Sequence, residues 1–152
     1  MRKTSILIIA LFFASYVHAQ DTTLFNITFN HFSRSVKNVD RSVGFYQKVL
    51  MLKEIPDGSQ TPGTHWLSLG EGKALHLIST IRGPFIENEG IHLGLSTPNF
   101  DAFVKHLDSL KVTWYNWDGA LKKINVRADG IKQVYFKDPD GYWIEVNDAV
   151  EK

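Results

Sequence analysis

Apolar positions change period twice along this chain, and the same change occurs in both halves. Leu24 to Ser35 and Ile91 to Ser96 are short β-prone runs. After each, apolar residues move to three- and four-residue spacing: Val39, Val43, Tyr46 and Leu50 first, then Phe100, Val104, Leu107 and Leu110. That spacing predicts a helix with one apolar stripe to lay on a sheet. Asn38 and Asn99 are suited to cap the two helices. Each is followed two residues on by an Asp, where the helix dipole favours negative charge. Strand-like runs then return. His65 to Leu69 and Ala74 to Ser79 flank the hairpin sequence Gly70-Glu71-Gly72, and Lys132 to Lys137 and Tyr142 to Asn147 flank Asp138-Pro139-Asp140-Gly141. Each half therefore reads as a strand and a helix followed by two or three strands.

The halves are copies. A shift of 61 residues without a gap brings His31 onto His92, Ser35 onto Ser96, Asn38 onto Asn99, Asp40 onto Asp101 and Val43 onto Val104. The matches fall at the same landmarks of one local pattern, which is the mark of an internal repeat. Module 1 spans about 24–80, a linker with Gly83-Pro84 spans 82–90, and module 2 spans about 91–148. Neither module can cover its own sheet, so the two are expected to share one α+β domain, 20–152, built from two βαβββ units.

Strand alternation then sorts the chemistry. Leu75 and Leu77 oppose His76; Leu93 and Leu95 oppose His92; Ile144 and Val146 oppose Glu145. His31 sits comparably on the first strand. Each of these strands thus has an apolar face for the helices and an opposite face bearing one imidazole or carboxylate. Buried groups of this kind are costly unless paired or bound to metal. His31, His76, His92 and Glu145, at equivalent places of a repeat, make a nitrogen-rich set for one divalent first-row ion such as Zn, Ni, Co, Fe or Mn. His65 and His106 lack this context and are expected at the surface. Trp66, Trp114, Trp117 and Trp143 supply aromatic surface, with burial in the core the plainer role for most of them.

Composition narrows the setting. Of 152 residues, 43% are hydrophobic and 22% charged, as in an ordinary globular protein. Arg2 and Lys3 precede an apolar run from Ile6 to Ala14, and Val17-His18-Ala19 forms a cleavage sequence before Gln20. Residues 1–19 therefore read as a secretory signal peptide, too short in its apolar part to be a membrane span. Export, periplasmic or extracellular, is the expectation. Removing Arg2 and Lys3 leaves 15 basic against 16 acidic residues, with no clustered basic run. Nucleic acid is not an expected partner, nor is a membrane surface after cleavage. The chain has no Cys, so it is held by its core alone, and any metal is bound by nitrogen and oxygen.

The segments His31…Asn38-Val-Asp-Arg-Ser-Val-Gly-Phe-Tyr-Gln-Lys-Val-Leu50 and Phe136-Lys-Asp-Pro-Asp-Gly-Tyr-Trp-Ile-Glu145 resemble the vicinal oxygen chelate superfamily. Its members include glyoxalase I, metal-dependent fosfomycin-resistance transferases, methylmalonyl-CoA epimerase and extradiol dioxygenases. The resemblance covers about residues 27–148. It implies a cup-shaped curved mixed sheet, formed within one chain or by module exchange in a homodimer. It places a metal at His31, His76, His92 and Glu145, with a small substrate bearing two neighbouring oxygens, and it implies Glu145 as a proton-shuttling base in a glyoxalase-type lyase or isomerase. Alternatives within the same resemblance are an extradiol-type dioxygenase using His31, His92 and Glu145, and a drug-sequestering binder without catalysis. Glyoxalase I usually has Glu or Gln where this chain has His76. The positions it uses to hold glutathione are Ser35 and Thr80 here, with Arg34 one residue off and on the other face.

Overall fold

The computed structural model describes residues 27–79 and 88–149. The segment 1–19, read from sequence as a signal peptide, Thr80 and Gly83-Pro84 of the linker lie outside these residues. Module 1 contains β1 (His31–Ser35), α1 (Val39–Val49), β2 (Glu54–Ile55), β3 (Thr64–Gly70) and β4 (Lys73–Ile78). Module 2 contains β5 (His92–Ser96), α2 (Phe100–Ser109), β6 (Trp114–Tyr115), β7 (Asn125–Val126), β8 (Lys132–Lys137) and β9 (Trp143–Asn147). The sheet orders are β1-β4-β3-β2 and β5-β9-β8-β6, with β7 also paired to β8. In both sheets the first strand lies parallel to the last, reached through the helix, and the other pairings are antiparallel. The repeat is therefore a repeat of topology, an α+β arrangement of two βαβββ units. β6 and β7 both lie along β8, at Tyr135–Phe136 and Lys132–Gln133, and together fill the place that β2 holds in module 1.

The expected strand Leu24 to Ser35 is shorter in its described part. Its ladder begins at His31, the last contact before it being the Ala74 N–H donating to the Asn30 carbonyl at 3.3 Å. Beyond that point β4 has already entered its hairpin, whose Gly70, Glu71 and Gly72 all have positive φ, so residues 27–30 have no strand to pair with among the described residues. Ile27 and Phe29 are left exposed.

Val36, Val43, Tyr46, Leu67, Leu75 and Leu77 of module 1 form one buried cluster with Leu93, Phe100, Leu107, Val134, Phe136, Ile144 and Val146 of module 2. Phe136 packs against Phe45 of α1 and Phe103 of α2, with ring centroids 6.5 and 6.0 Å away. The modules thus share a core through the faces opposite the candidate ligands.

A buried polar clamp reinforces that junction. Arg34, on the inward face of β1, donates from Nη1 to the Tyr46 hydroxyl at 3.0 Å and from Nη2 to the Trp143 carbonyl at 3.0 Å. Its Nη1 also lies 3.4 Å from Asp138 Oδ2. Tyr46 donates to the same oxygen at 2.7 Å. Asp138 Oδ1 accepts from the Asp140 and Tyr142 N–H groups, which closes a turn that Gly141 completes at φ 98°. Asp140 in turn accepts from the Lys37 N–H and the Ser42 hydroxyl. The turn sequence read as a hairpin signal is also the socket for module 1.

Two predictions follow from this geometry. Removing one member of a buried pair strands the other, at a cost of about 3–5 kcal/mol. Asp138→Asn is expected to lower stability by that order in urea unfolding, with Tyr46→Phe costing roughly 1 kcal/mol; a loss below about 1 kcal/mol for Asp138→Asn would show that the charge pair does not hold the modules. The helix caps provide the second. Asn38 is extended and its side chain accepts the Arg41 N–H at 2.9 Å. Asn99, with φ −103° and ψ 40°, makes no such bond and gives its own N–H to Thr97. Asn38→Ala should therefore cost about 1 kcal/mol by thermal or urea melting, and Asn99→Ala clearly less.

Candidate functional site

The four candidate residues occur as two pairs, one per module. In module 1, the register sets Trp66 of β3 directly opposite His76 of β4, and His76 opposite Ser33 of β1. His31 lies diagonal to His76. The three rings stack: Trp66 on His76 at 4.0 Å and 2°, His76 on His31 at 4.1 Å and 7°. Burial, and then the neighbouring His31 ring, hold the His76 imidazolium pKa below its ordinary value. His76 is thus kept in the neutral form, which is the form that ligates metal. His31 Nδ1 lies 2.8 Å from the Asn30 side-chain oxygen, a bond that orients the ring and leaves Nε2 on its outer edge.

In module 2, Glu145 of β9 faces Gly94 of β5 on one side and Tyr135 of β8 on the other. His92 Nε2 is 3.1 Å from Glu145 Oε2. The other His92 nitrogen, Nδ1, lies 2.7 Å from the Glu89 carbonyl. A carbonyl only accepts, so Nδ1 carries a proton and Nε2 is the atom directed at the site. Glu145 is 6% exposed, and both its oxygens accept hydrogen bonds. Its Oε1 accepts from Gln133 at 2.6 Å and Asn147 at 2.7 Å, and its Oε2 accepts from the Tyr135 hydroxyl at 2.8 Å. Burial pushes the carboxyl upward, but the donors Asn147, Tyr135 and Gln133 and the nearby His92 outweigh it and hold the pKa below the ordinary value. Tyr135 moves the opposite way, raised by burial and by the Glu145 carboxylate that accepts its proton. Trp117 closes the wall, edge-on to both His92 and Tyr135.

Among the described residues, no three His, Asp or Glu side chains converge as a metal-holding group. The chain brings His31 to His76, and His92 to Glu145, but does not bring the two pairs together. The donor chemistry nevertheless fits a divalent ion: two imidazoles with Nδ1 bonded to oxygen, a third kept neutral, and a carboxylate kept ionised.

The remaining histidines have other work. His65 pairs with Glu54 across the β2–β3 ladder at 2.6 Å. His106, expected to face solvent, reaches from α2 to the Lys48 carbonyl of α1 at 3.1 Å. Trp114 and Trp143 are buried, whereas Trp117 is 45% exposed. Gln133, Tyr135, Asn147 and Trp66 were not singled out from sequence as partners of the candidate ligands. The alternation of β8 carried the needed signal, because core positions at Val134 and Phe136 leave Gln133 and Tyr135 on the Glu145 face.

Comparison with known proteins places the fold. The family model described as Glyoxalase/Bleomycin resistance protein/Dioxygenase superfamily matches residues 28–146. A protein named Metallothiol transferase FosB from Shouchella clausii (strain KSM-K16) is 33% identical over 124 residues, 78% of this chain and 77% of its own length. Glyoxylase I 4 from Arabidopsis thaliana is 27% identical over 125 residues, covering 77% and 68% of the two chains. Among solved structures, Oxidase ChaP-H2 superposes with a TM-score of 0.67 at 20% identity, over 82% of this chain and 94% of that one. The duplicated topology, the paired ligand strands and these matches lead to one conclusion: the chain belongs to the glyoxalase/bleomycin resistance protein/dioxygenase superfamily, the vicinal oxygen chelate superfamily.

Proposed function

We propose that this chain is an exported, metal-dependent enzyme acting on a small substrate with neighbouring oxygens, and that its metal is held by His31, His76, His92 and Glu145. The observation that carries the reading is the state of the donors. Nδ1 of both His31 and His92 is engaged by an oxygen, His92 Nε2 lies against Glu145 Oε2 at 3.1 Å, and Glu145 is kept anionic by three side-chain donors. A divalent ion bound there supplies Lewis-acid stabilisation to negative charge developing on a substrate oxygen. Tyr135 and Trp117 wall one side of that position.

Between reaction types, hydrogen bonding favours transfer or addition over proton shuttling. A carboxylate whose two oxygens already accept three donors, and whose pKa is lowered, makes a good ligand and a weak base. The 33% identity to a protein named as a metallothiol transferase supports the same side. The glyoxalase-type lyase or isomerase, with Glu145 as base, is the second reading, supported by the match to Glyoxylase I 4.

Because the two ligand pairs stay apart within the chain, we place the complete set between two copies. Module 1 of each protomer would face module 2 of the other. The exposed Ile91, Trp117, Leu121 and Val126 give apolar surface in module 2 for such a partner.

Elemental analysis of protein purified without added metal is expected to find about one divalent ion per chain, with His92→Ala losing it. Failure to take up any of zinc, nickel, cobalt, iron or manganese would sink the metal reading. Sharing between copies is tested by mixing His31→Ala and His92→Ala chains after unfolding together. Random pairing into exchanged dimers restores about a quarter of the tight sites, because each mixed dimer carries one intact set. A cup closed within one chain restores none.

A further inference from the structure

Glu145 is held by a row of amides that crosses the second sheet. Asn125 of β7 donates to Gln133 Oε1 at 2.8 Å, and Gln133 Nε2 donates to Glu145 Oε1 at 2.6 Å. From the other side, the Ala149 N–H donates to Asn147 Oδ1 at 3.1 Å, and Asn147 Nδ2 donates to the same Glu145 oxygen at 2.7 Å. Each amide is therefore oriented from behind: its oxygen is already accepting, so its NH₂ is the group turned to Glu145. Two donors fill both lone-pair directions of Oε1. Oε2 accepts only the Tyr135 hydroxyl and otherwise faces His92. Gly94, opposite Glu145 on β5, has no heavy atom within 4 Å of where a Cβ would stand, so no side chain competes for that opening.

Resting on the metal reading above, we propose that Gln133 and Asn147 are positioning residues that restrict Glu145 to one-oxygen coordination through Oε2, with Asn125 setting the Gln133 amide. Carboxylates switch readily between binding through one oxygen and through two. Two amide N–H groups on Oε1 remove that freedom and point the remaining lone pair along the His92 side. The coordination position that a second carboxylate oxygen would take is kept for substrate. A role limited to satisfying a buried carboxylate would leave the coordination mode free, which gives the two roles different signatures.

The test uses full-length protein and Co(II) alone as the probe. Co(II) affinity is measured by competition with a chromogenic chelator. The separation of the asymmetric and symmetric carboxylate stretches is read from infrared difference spectra, with and without Co(II). Wild-type protein should show the wide separation of one-oxygen binding. Gln133→Met and Asn147→Leu should narrow it and weaken Co(II) binding about 10–100-fold, the range for losing an outer-shell partner. Asn125→Ala, which removes no bond to Glu145 itself and keeps the half-buried edge intact, should move both readouts the same way by less. Folded variants with wild-type separation and affinity would overturn this proposal alone, as would a fall in melting temperature with the infrared bands unmoved. A wild-type protein that takes up no Co(II) would overturn it together with the metal reading.

Discussion

The contact between Arg34 and Asp138 governs how everything else is placed. It joins residues 104 positions apart, is closed to solvent, and lies where the first strand of module 1 meets the turn before the last strand of module 2. Burying a guanidinium is costly, and the geometry shows how the cost is met. Arg34 has three oxygen partners and lies over the Phe32 and Tyr142 rings, at 5.4 and 4.7 Å from their centroids. Only its Nε lacks a partner. Burial keeps the Tyr46 phenol protonated far into the alkaline range, so it remains a donor to Asp138. Apart from that one nitrogen the members satisfy one another, and such a buried network favours one arrangement over a looser core.

That clamp also explains why the candidate ligands point away from the junction. Alternation on β1 puts Phe32 and Arg34 on the inward face, so His31 must face outward. On β9, Ile144 and Val146 take the core side and leave Glu145 on the other. The shared core and the split ligand set are consequences of one choice of faces. The Arg34 and Phe136 contacts join the modules through the faces that look away from the candidate ligands. The pairs stay separate within the chain for the same reason that the domain is cohesive.

Much of this was legible in the sequence, and the limits follow from range. Helix spacing, the hairpin turns and the face of each candidate ligand depend on residues close in the chain, and the sequence pattern reads them directly. Arg34 was visible only as an arginine out of step with a glutathione-holding position. Nothing local indicates a partner 104 residues away. β2, β6 and β7 are two-residue pairings, too short to impose a period. Asn38 and Asn99 are the same residue at the same repeat position, yet only the first caps, because capping depends on backbone angles that the local residue type does not fix. Whether four ligands on four strands converge is a property of how modules are placed, which alternation within a strand cannot supply.

The two modules have diverged in a coordinated way. Trp66 stands opposite His76 on β3–β4, and Tyr135 stands opposite Glu145 on β8–β9. These are the same topological position, and each partner suits the group it faces. An indole offers a flat surface on which the His76 ring stacks at 4.0 Å, and burial there holds its pKa down. A phenol offers a hydroxyl, which a carboxylate accepts and which helps to keep that carboxylate ionised. Gln133 and Asn147 extend the second logic, and His31 extends the first by adding another ring to the stack. The repeat therefore conserves geometry while dividing labour: module 1 presents imidazole nitrogens against aromatic surface, and module 2 presents the negative charge within a hydrogen-bonded frame. A site assembled from both halves would have its charge fixed on one side and its polarisable, apolar wall on the other. That asymmetry would orient a substrate that is itself polar at one end.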